Sequence, residues 1–299
     1  MKLVGSQFLD PEILQHLPNL ELVARRLVEG VFVGYHKSPQ LGYSVEFVDH
    51  REYVPGDDLR TVDWRVWARK DKYYVKRFEM ESQLKATLLL DTSRSMDFGE
   101  RKLTKLRYGC YLAASLAYLL IHQNDMAGLV SFDREIRTYI PPRGNRSHLR
   151  LILHALGTIE PGPATDVPKV CHHLADTIKS RGMVVVISDL LDDVEAVLQG
   201  LRHFQHRKHD VIVFHVMDDA ELDLPYGELA NFRDVESGRR LAVDPGTFRK
   251  IYRGRVEEFC DVLRRGCQST DIDYNLVRTS TPIEAVLTNY IAFRARRSR

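Results

Sequence analysis

Five side chains in this sequence carry the kind of oxygen that grips hard cations, and their spacing puts them on loops. Asp91-Thr92-Ser93-Arg94-Ser95 offers a carboxylate and two hydroxyls at alternate positions. In an extended loop, alternate residues point to one side. A second carboxylate, Asp189, follows Met183-Val184-Val185-Val186-Ile187-Ser188, and a third hydroxyl, Thr165, lies in the loop Pro161-Gly162-Pro163-Ala164-Thr165-Asp166. Magnesium takes near-octahedral oxygen coordination at about 2.1 Å and keeps several waters. A mixed hydroxyl and carboxylate set suits it, whereas zinc prefers cysteine and histidine. The chemistry to expect is therefore the holding of Mg2+ (or Mn2+), with calcium also compatible with such oxygens.

These residues need a scaffold that brings separate loops to one place. Thr87-Leu88-Leu89-Leu90, ending on Asp91, is a continuous apolar run, as a strand buried on both faces reads. After it, strand and helix patterns alternate. The spacing predicts helices over Leu103 to His122, Ser147 to Leu156, Val167 to Ser180, Val194 to His206, Phe248 to Cys267 and Pro282 to Arg294. It predicts strands over Ala127 to Phe132, Ile136 to Ile140, Met183 to Ser188, Asp210 to Val216 and Ile272 to Val277, with a hairpin over Val235 to Val243 turning at Ser237-Gly238. The fold class is α/β: an open, mostly parallel Rossmann-like sheet with helices on both faces. Ligands in such sheets sit at the carboxyl ends of the strands, where the five oxygens fall. Upstream, Asp10 to Leu27 reads as a helix. Gly30 to Asp63 reads as short strands and turns, with a tight turn at Pro55-Gly56-Asp57-Asp58, and Tyr73 to Glu79 reads as an exposed strand. The expected division is an N-terminal mixed α/β appendage over residues 1–80 and the α/β domain over residues 81–299.

Two resemblances sharpen this. Asp91-Thr92-Ser93-Arg94-Ser95, with Asp189 after a valine-rich strand, resembles the D-x-S-x-S signature of von Willebrand factor A domains. That resemblance implies a metal-ion-dependent adhesion site. Ser93 and Ser95 would bind the metal directly, and Asp91 directly or through water. Thr165 would be the loop threonine, with Thr158 as a nearby competitor, and Asp189 the second aspartate. Tyr35-His36-Lys37-Ser38-Pro39, Gly42, Glu46-Phe47, Arg51-Glu52-Tyr53 and the run from Pro55 to Trp64, extended by Ala68-Arg69 and Val75-Lys76, resemble the bacterial domain of unknown function 58 family. Membership implies an adaptor or co-chaperone role beside a MoxR-type AAA+ ATPase. Many relatives carry N-terminal membrane helices, and no such stretch occurs here.

Composition narrows the function classes. The formal charge of +2 over 299 residues supplies no global field for nucleic acid or an anionic membrane. No run of about 18 apolar residues exists to span a bilayer, and Met1 to Ser6 lacks the apolar core of a signal peptide. A cytoplasmic location is expected. Cys110, Cys171, Cys260 and Cys267 form no C-x-x-C pair and read as buried reduced thiols. No G-x-x-x-x-G-K-[ST] loop, strand-borne G-x-G-x-x-G or G-x-S-x-G elbow is present, so neither ATP hydrolysis by the chain itself nor a dinucleotide cofactor is expected. The leading expectation is a non-enzymatic binding module whose cation accepts an Asp or Glu carboxylate from a partner. The alternatives are a magnesium-dependent phosphoryl hydrolase using Asp91 as nucleophile, and a structural scaffold with a vestigial metal site. Against the hydrolase, Ser93 stands where a second carboxylate would be needed.

Plainer roles exist for several residues. Asp166 can cap the helix after it. Arg51, Asp57, Asp58, Arg60, Asp63 and Arg69 can form a structural ion-pair network, and Trp64 and Trp67 can simply pack. His203, His206 and His209 read as an exposed helix end, Cys171-His172-His173 as adjacent helix positions that face different ways, and the basic tail from Arg294 as a solvated terminus.

Overall fold

A computed structural model describes residues 19–35, 47–54, 66, 73–78, 83–99, 103–227, 230–233, 240–243 and 245–297. The expected turn from Pro55, both tryptophans and the first part of the expected N-terminal helix lie outside these residues.

The chain divides into two compact units, residues 35–83 and the remainder. The smaller unit holds an antiparallel pair, β1 (Phe47–Glu52) and β2 (Tyr74–Phe78), with a bulge between Phe47 and Asp49. The strand expected from Tyr73 is thus present.

The main unit resumes at Leu84, close to the expected boundary at residue 80, but the residues before Tyr35 group with it and not with the smaller unit. Helix α1 (Leu20–Tyr35) groups with the main unit through Gly34. Val23, Ala24, Leu27, Val28 and Val31 form its buried stripe, and Gly30 passes close to Glu284, whose Cγ would lie 3.7 Å from a Cβ added there. Gly30 and Gly34 suggested turns, but a helix tolerates glycine at about 1 kcal/mol when a buried face outweighs it.

The main unit carries a six-stranded sheet in the order β10-β7-β6-β3-β4-β5. In chain order these are β3 (Lys85–Asp91), β4 (Met126–Phe132), β5 (Ile136–Arg143), β6 (Met183–Ser188), β7 (Asp210–Met217) and β10 (Asp273–Arg278). All pair in parallel except β5, which runs antiparallel to β4 on one edge. β5 extends past the expected end at Ile140 to include Pro141 and Pro142. Prolines are tolerated there because an edge strand can spare ladder donors. The separate hairpin β8 (Ala230–Arg233) and β9 (Arg240–Val243) starts earlier than expected.

Side chains alternate across the central strands. Leu89, Val130, Val184, Val186, Val211 and Val213 face a cluster built with α4 (Val167–Thr177), α5 (Val194–His206) and α7 (Pro245–Gln268), which contribute Val170, Leu174, Leu201, Phe204 and Leu263. On the other face, α2 (Lys105–His122) is buried nearly throughout. Its Gly109 lies so close to the sheet that an added Cβ would be 2.9 Å from Leu90 Cδ1 and 3.3 Å from Ile187 Cγ2. That glycine permits the close approach, and a sheet covered on both faces explains the unbroken apolar runs of β3 and β6. Each such leucine or valine contributes about 1.5–3 kcal/mol on burial. α3 (Arg146–Gly157) packs beside α2, and α8 (Ile283–Arg297) also contacts it. A short helix, α6 (Asp219–Asp223), follows β7 and carries a full capping box from Asp218 and Glu221. All four cysteines are buried free thiols.

Candidate metal centre

The carboxyl ends of β3 and β6, adjacent strands in the sheet, deliver the two aspartates. Asp91 closes β3 and is wholly buried. Its Oδ1 accepts the Ser93 backbone N–H at 2.9 Å, which curls the following loop back over the strand end. Its Oδ2 accepts the Ser188 hydroxyl at 2.6 Å, and Ser188 Oγ in turn accepts the Leu190 N–H at 2.9 Å. Burial, then the neighbouring Asp189 charge, push the Asp91 carboxyl up to about 7; the hydrogen bonds from Ser188 and Ser93 oppose this without cancelling it.

Ser93 precedes and Ser95 lies within a 3-10 turn over Arg94–Asp97, and their buried hydroxyls hydrogen-bond each other at 3.0 Å. That separation matches the edge of an oxygen octahedron with bonds of about 2.1 Å, which is about 3.0 Å.

The Thr165 loop is laced to this segment by backbone. Gly162 N–H donates to Thr92 O at 2.6 Å and Arg94 N–H to Pro163 O at 3.1 Å. The Thr165 hydroxyl is buried and has no hydrogen-bond partner among the described residues. A buried hydroxyl without a partner costs about 1–3 kcal/mol, so it calls for an explanation, and a bound ion is one. The hydroxyl of Thr158, its competitor, turns back to the His154 and Ala155 carbonyls at the end of α3. Asp166 caps α4, accepting from Lys169 N–H.

Asp189 follows β6 directly and is fully buried. Leu190 after it has φ 50°, a left-handed conformation that a leucine adopts at a cost of about 1–3 kcal/mol. That turn lets the Leu191 N–H approach Asp189 Oδ1 at 3.4 Å, while Oδ2 accepts from Lys105 Nζ at 2.8 Å. The five expected oxygens therefore divide into three linked groups. Asp91, Ser93 and Ser95 cluster directly, the Thr165 loop is bonded to them through its backbone, and Asp189 stands beside Asp91 while engaged by a lysine.

That lysine was not foreseen. Lys105 is the first residue of α2, directly after the Thr104 cap, whose hydroxyl accepts from Arg107 N–H. Its ammonium is buried, bridges Asp189 Oδ2 and Glu221 Oε1 (2.6 Å), and sits 5.8 Å from the centroid of the Phe98 ring. Burial draws its pKa down, but Asp189 and Glu221 outweigh that and raise it above the ordinary lysine value. Glu221 Oε2 accepts the Asp218 N–H. Behind Asp189, buried His215 bonds Tyr274 through Nδ1 at 2.6 Å, and burial lowers its pKa to about 4, so it is neutral at pH 7.

The residues fit a hard divalent cation. Two hydroxyls at octahedral-edge spacing, a partnerless buried threonine and a buried carboxyl with a raised pKa are what such an ion would satisfy. Among the described residues no three His, Cys, Asp or Glu side chains gather at one point to hold a metal. A cation here would depend on hydroxyls and water, as magnesium and manganese tolerate. Elsewhere, His172 and His203 meet through Nδ1 atoms 3.1 Å apart across α4 and α5, and His209 is buried rather than exposed as expected.

Fold and site define a doubly wound α/β domain with its polar constellation at the carboxyl edge of the sheet. The chain belongs to the family described as protein of unknown function DUF58, which matches residues 49–259. An uncharacterized protein of Mycobacterium bovis is 29% identical over 294 residues, covering 96% of this chain and 91% of its own. Among solved structures, the conserved hypothetical protein BatB of Bacteroides thetaiotaomicron is 17% identical, with a TM-score of 0.47, covering 71% of this chain and 99% of BatB. The SpRpn10 VWA domain is 12% identical, with a TM-score of 0.38, covering 68% and 94%. No helix among the described residues is long and apolar enough to cross a membrane.

Proposed function

We propose that this chain is a non-enzymatic adaptor that binds a protein partner through Mg2+ or Mn2+ held by Asp91, Ser93, Ser95, Thr165 and Asp189. The observation that carries the reading is the Ser93–Ser95 hydroxyl pair at 3.0 Å beside the buried Asp91 carboxyl. The cation would supply an open coordination position for an Asp or Glu side chain of the partner. The chain's own part is to hold its ligands still. Ser188 fixes Asp91, the Leu190 turn fixes Asp189, and the Gly162 and Arg94 backbone bonds fix the Thr165 loop. By family resemblance the partner class is a MoxR-type AAA+ ATPase, acting in the cytoplasm, where buried free thiols stay reduced. Both oxygens of Asp91 already accept hydrogen bonds and the carboxyl holds its proton toward neutral pH, which weakens it as a nucleophile and disfavours the hydrolase alternative.

The test is capture of a purified MoxR-type ATPase on immobilised chain. EDTA and Ser93→Ala are each expected to weaken capture by about tenfold or more, the scale of one charge-assisted contact. Equal capture with and without chelator, and by the variant, overturns the proposal.

A further inference from the structure

We infer that Lys105 is a tethered internal cation that competes with the divalent ion for Asp189, with Glu221 setting the strength of that competition; this rests on the metal reading above. Three observations carry it. The Lys105 ammonium is fully buried, so its charge is neither solvated nor screened. It contacts Asp189 Oδ2 and Glu221 Oε1 at once, so each carboxylate draws it away from the other. Glu221 in turn is held on α6 by the capping box and does not swing freely.

The charges are matched. Asp91, Asp189 and Glu221 against Lys105 leave two negative charges when all are ionised, and one divalent ion closes the sum to zero. Remove the lysine, and the cluster attracts cations harder. Neutralise Glu221, and the full ammonium falls on Asp189 and repels them. The two changes therefore move metal affinity in opposite directions. A role in packing alone does not produce that sign reversal, since loss of packing weakens the site in either variant.

The experiment is Mn2+ titration by calorimetry of the full chain, with Mn2+-induced change in Tm as a second readout, for wild type, Lys105→Met, Glu221→Gln and Ser93→Ala. Lys105→Met is expected to tighten Mn2+ by about tenfold or more and Glu221→Gln to loosen it by about tenfold, as a unit charge within a few ångströms of the ion requires at low effective dielectric. If Lys105→Met does not fold without metal, Glu221→Gln still decides. Wild-type binding that Ser93→Ala removes, with affinity unchanged in Glu221→Gln, overturns the role of Lys105 and leaves the metal reading standing. Binding only in Lys105→Met supports the competition but overturns the proposed function, since the wild-type chain then holds no ion. No binding in any of them overturns both readings.

Discussion

Asp91→Asn is expected to make the metal-free protein more stable at pH 8. In the unfolded chain this carboxyl loses its proton near 3.8, while in the fold it keeps it to about 7. The raised value means that its stabilising contribution is complete below the unfolded pKa and is lost as the pH climbs to about 7. A shift of that size amounts to roughly 4 kcal/mol at about 1.4 kcal/mol per unit. Losing the Ser188 hydrogen bond to the carboxylate takes back about 1–2 kcal/mol, leaving a gain of about 2 kcal/mol. His215 works in the other direction. Its lowered pKa makes folding more favourable as pH rises from about 4 through the ordinary histidine range, so the wild-type profile alone masks the carboxyl. The clean measurement is the difference between Asp91→Asn and wild type in denaturant titrations with EDTA. It should lie at about −2 kcal/mol at pH 3.5, where only the lost hydrogen bond counts, and climb by roughly 4 kcal/mol to about +2 kcal/mol by pH 8. Saturating Mn2+ should reverse the order, because the ion neutralises the charge that burial penalises. A wild type more stable than the variant at every pH in EDTA contradicts the account.

The second large effect lies at the far end of the same strands. A Cβ added to Gly182 would lie 2.2 Å from the Lys85 carbonyl oxygen, a backbone atom that cannot swing aside. Gly182 precedes Met183, which pairs with Ala86 in the β3–β6 ladder. Gly182→Val must therefore wedge apart the two strands whose other ends carry Asp91 and Ser188. A loss of about 3 kcal/mol or more is expected, at the upper end of overpacking costs, with Mn2+-induced stabilisation reduced as well. Denaturation midpoints with and without Mn2+ measure both. A variant within about 0.5 kcal/mol of wild type would show that the strands have slack there.

The legibility of this protein in its sequence follows the periodicity of its parts. The central strands were readable because burial on both faces writes an unbroken apolar run, as in Met183–Ser188. Asp91, Ser93 and Ser95 stand out by their alternate spacing, but the extended segment expected there gives way after Ser93 to a 3-10 turn, and a hydrogen bond between the two hydroxyls is what joins Ser93 to Ser95. Thr165 needed family resemblance, since nothing local separates it from Thr158; only the contrast between a satisfied and a partnerless hydroxyl does so. Lys105 and Glu221 were illegible. A lysine in the first turn of a helix normally reaches water, and five residues of α6 are too few to display a period. Only the second half of α2 is apolar almost all round, so the sequence offers no hint that the lysine at its start is buried and paired.

The edge strand β5 carries a further consequence. Pro141 and Pro142 lack backbone N–H groups, so its outer rim offers an incoming peptide an interrupted row of donors. Lengthening of the sheet by a borrowed strand is disfavoured on that side. Backbone pairing on this sheet is thereby left to the opposite edge, β10.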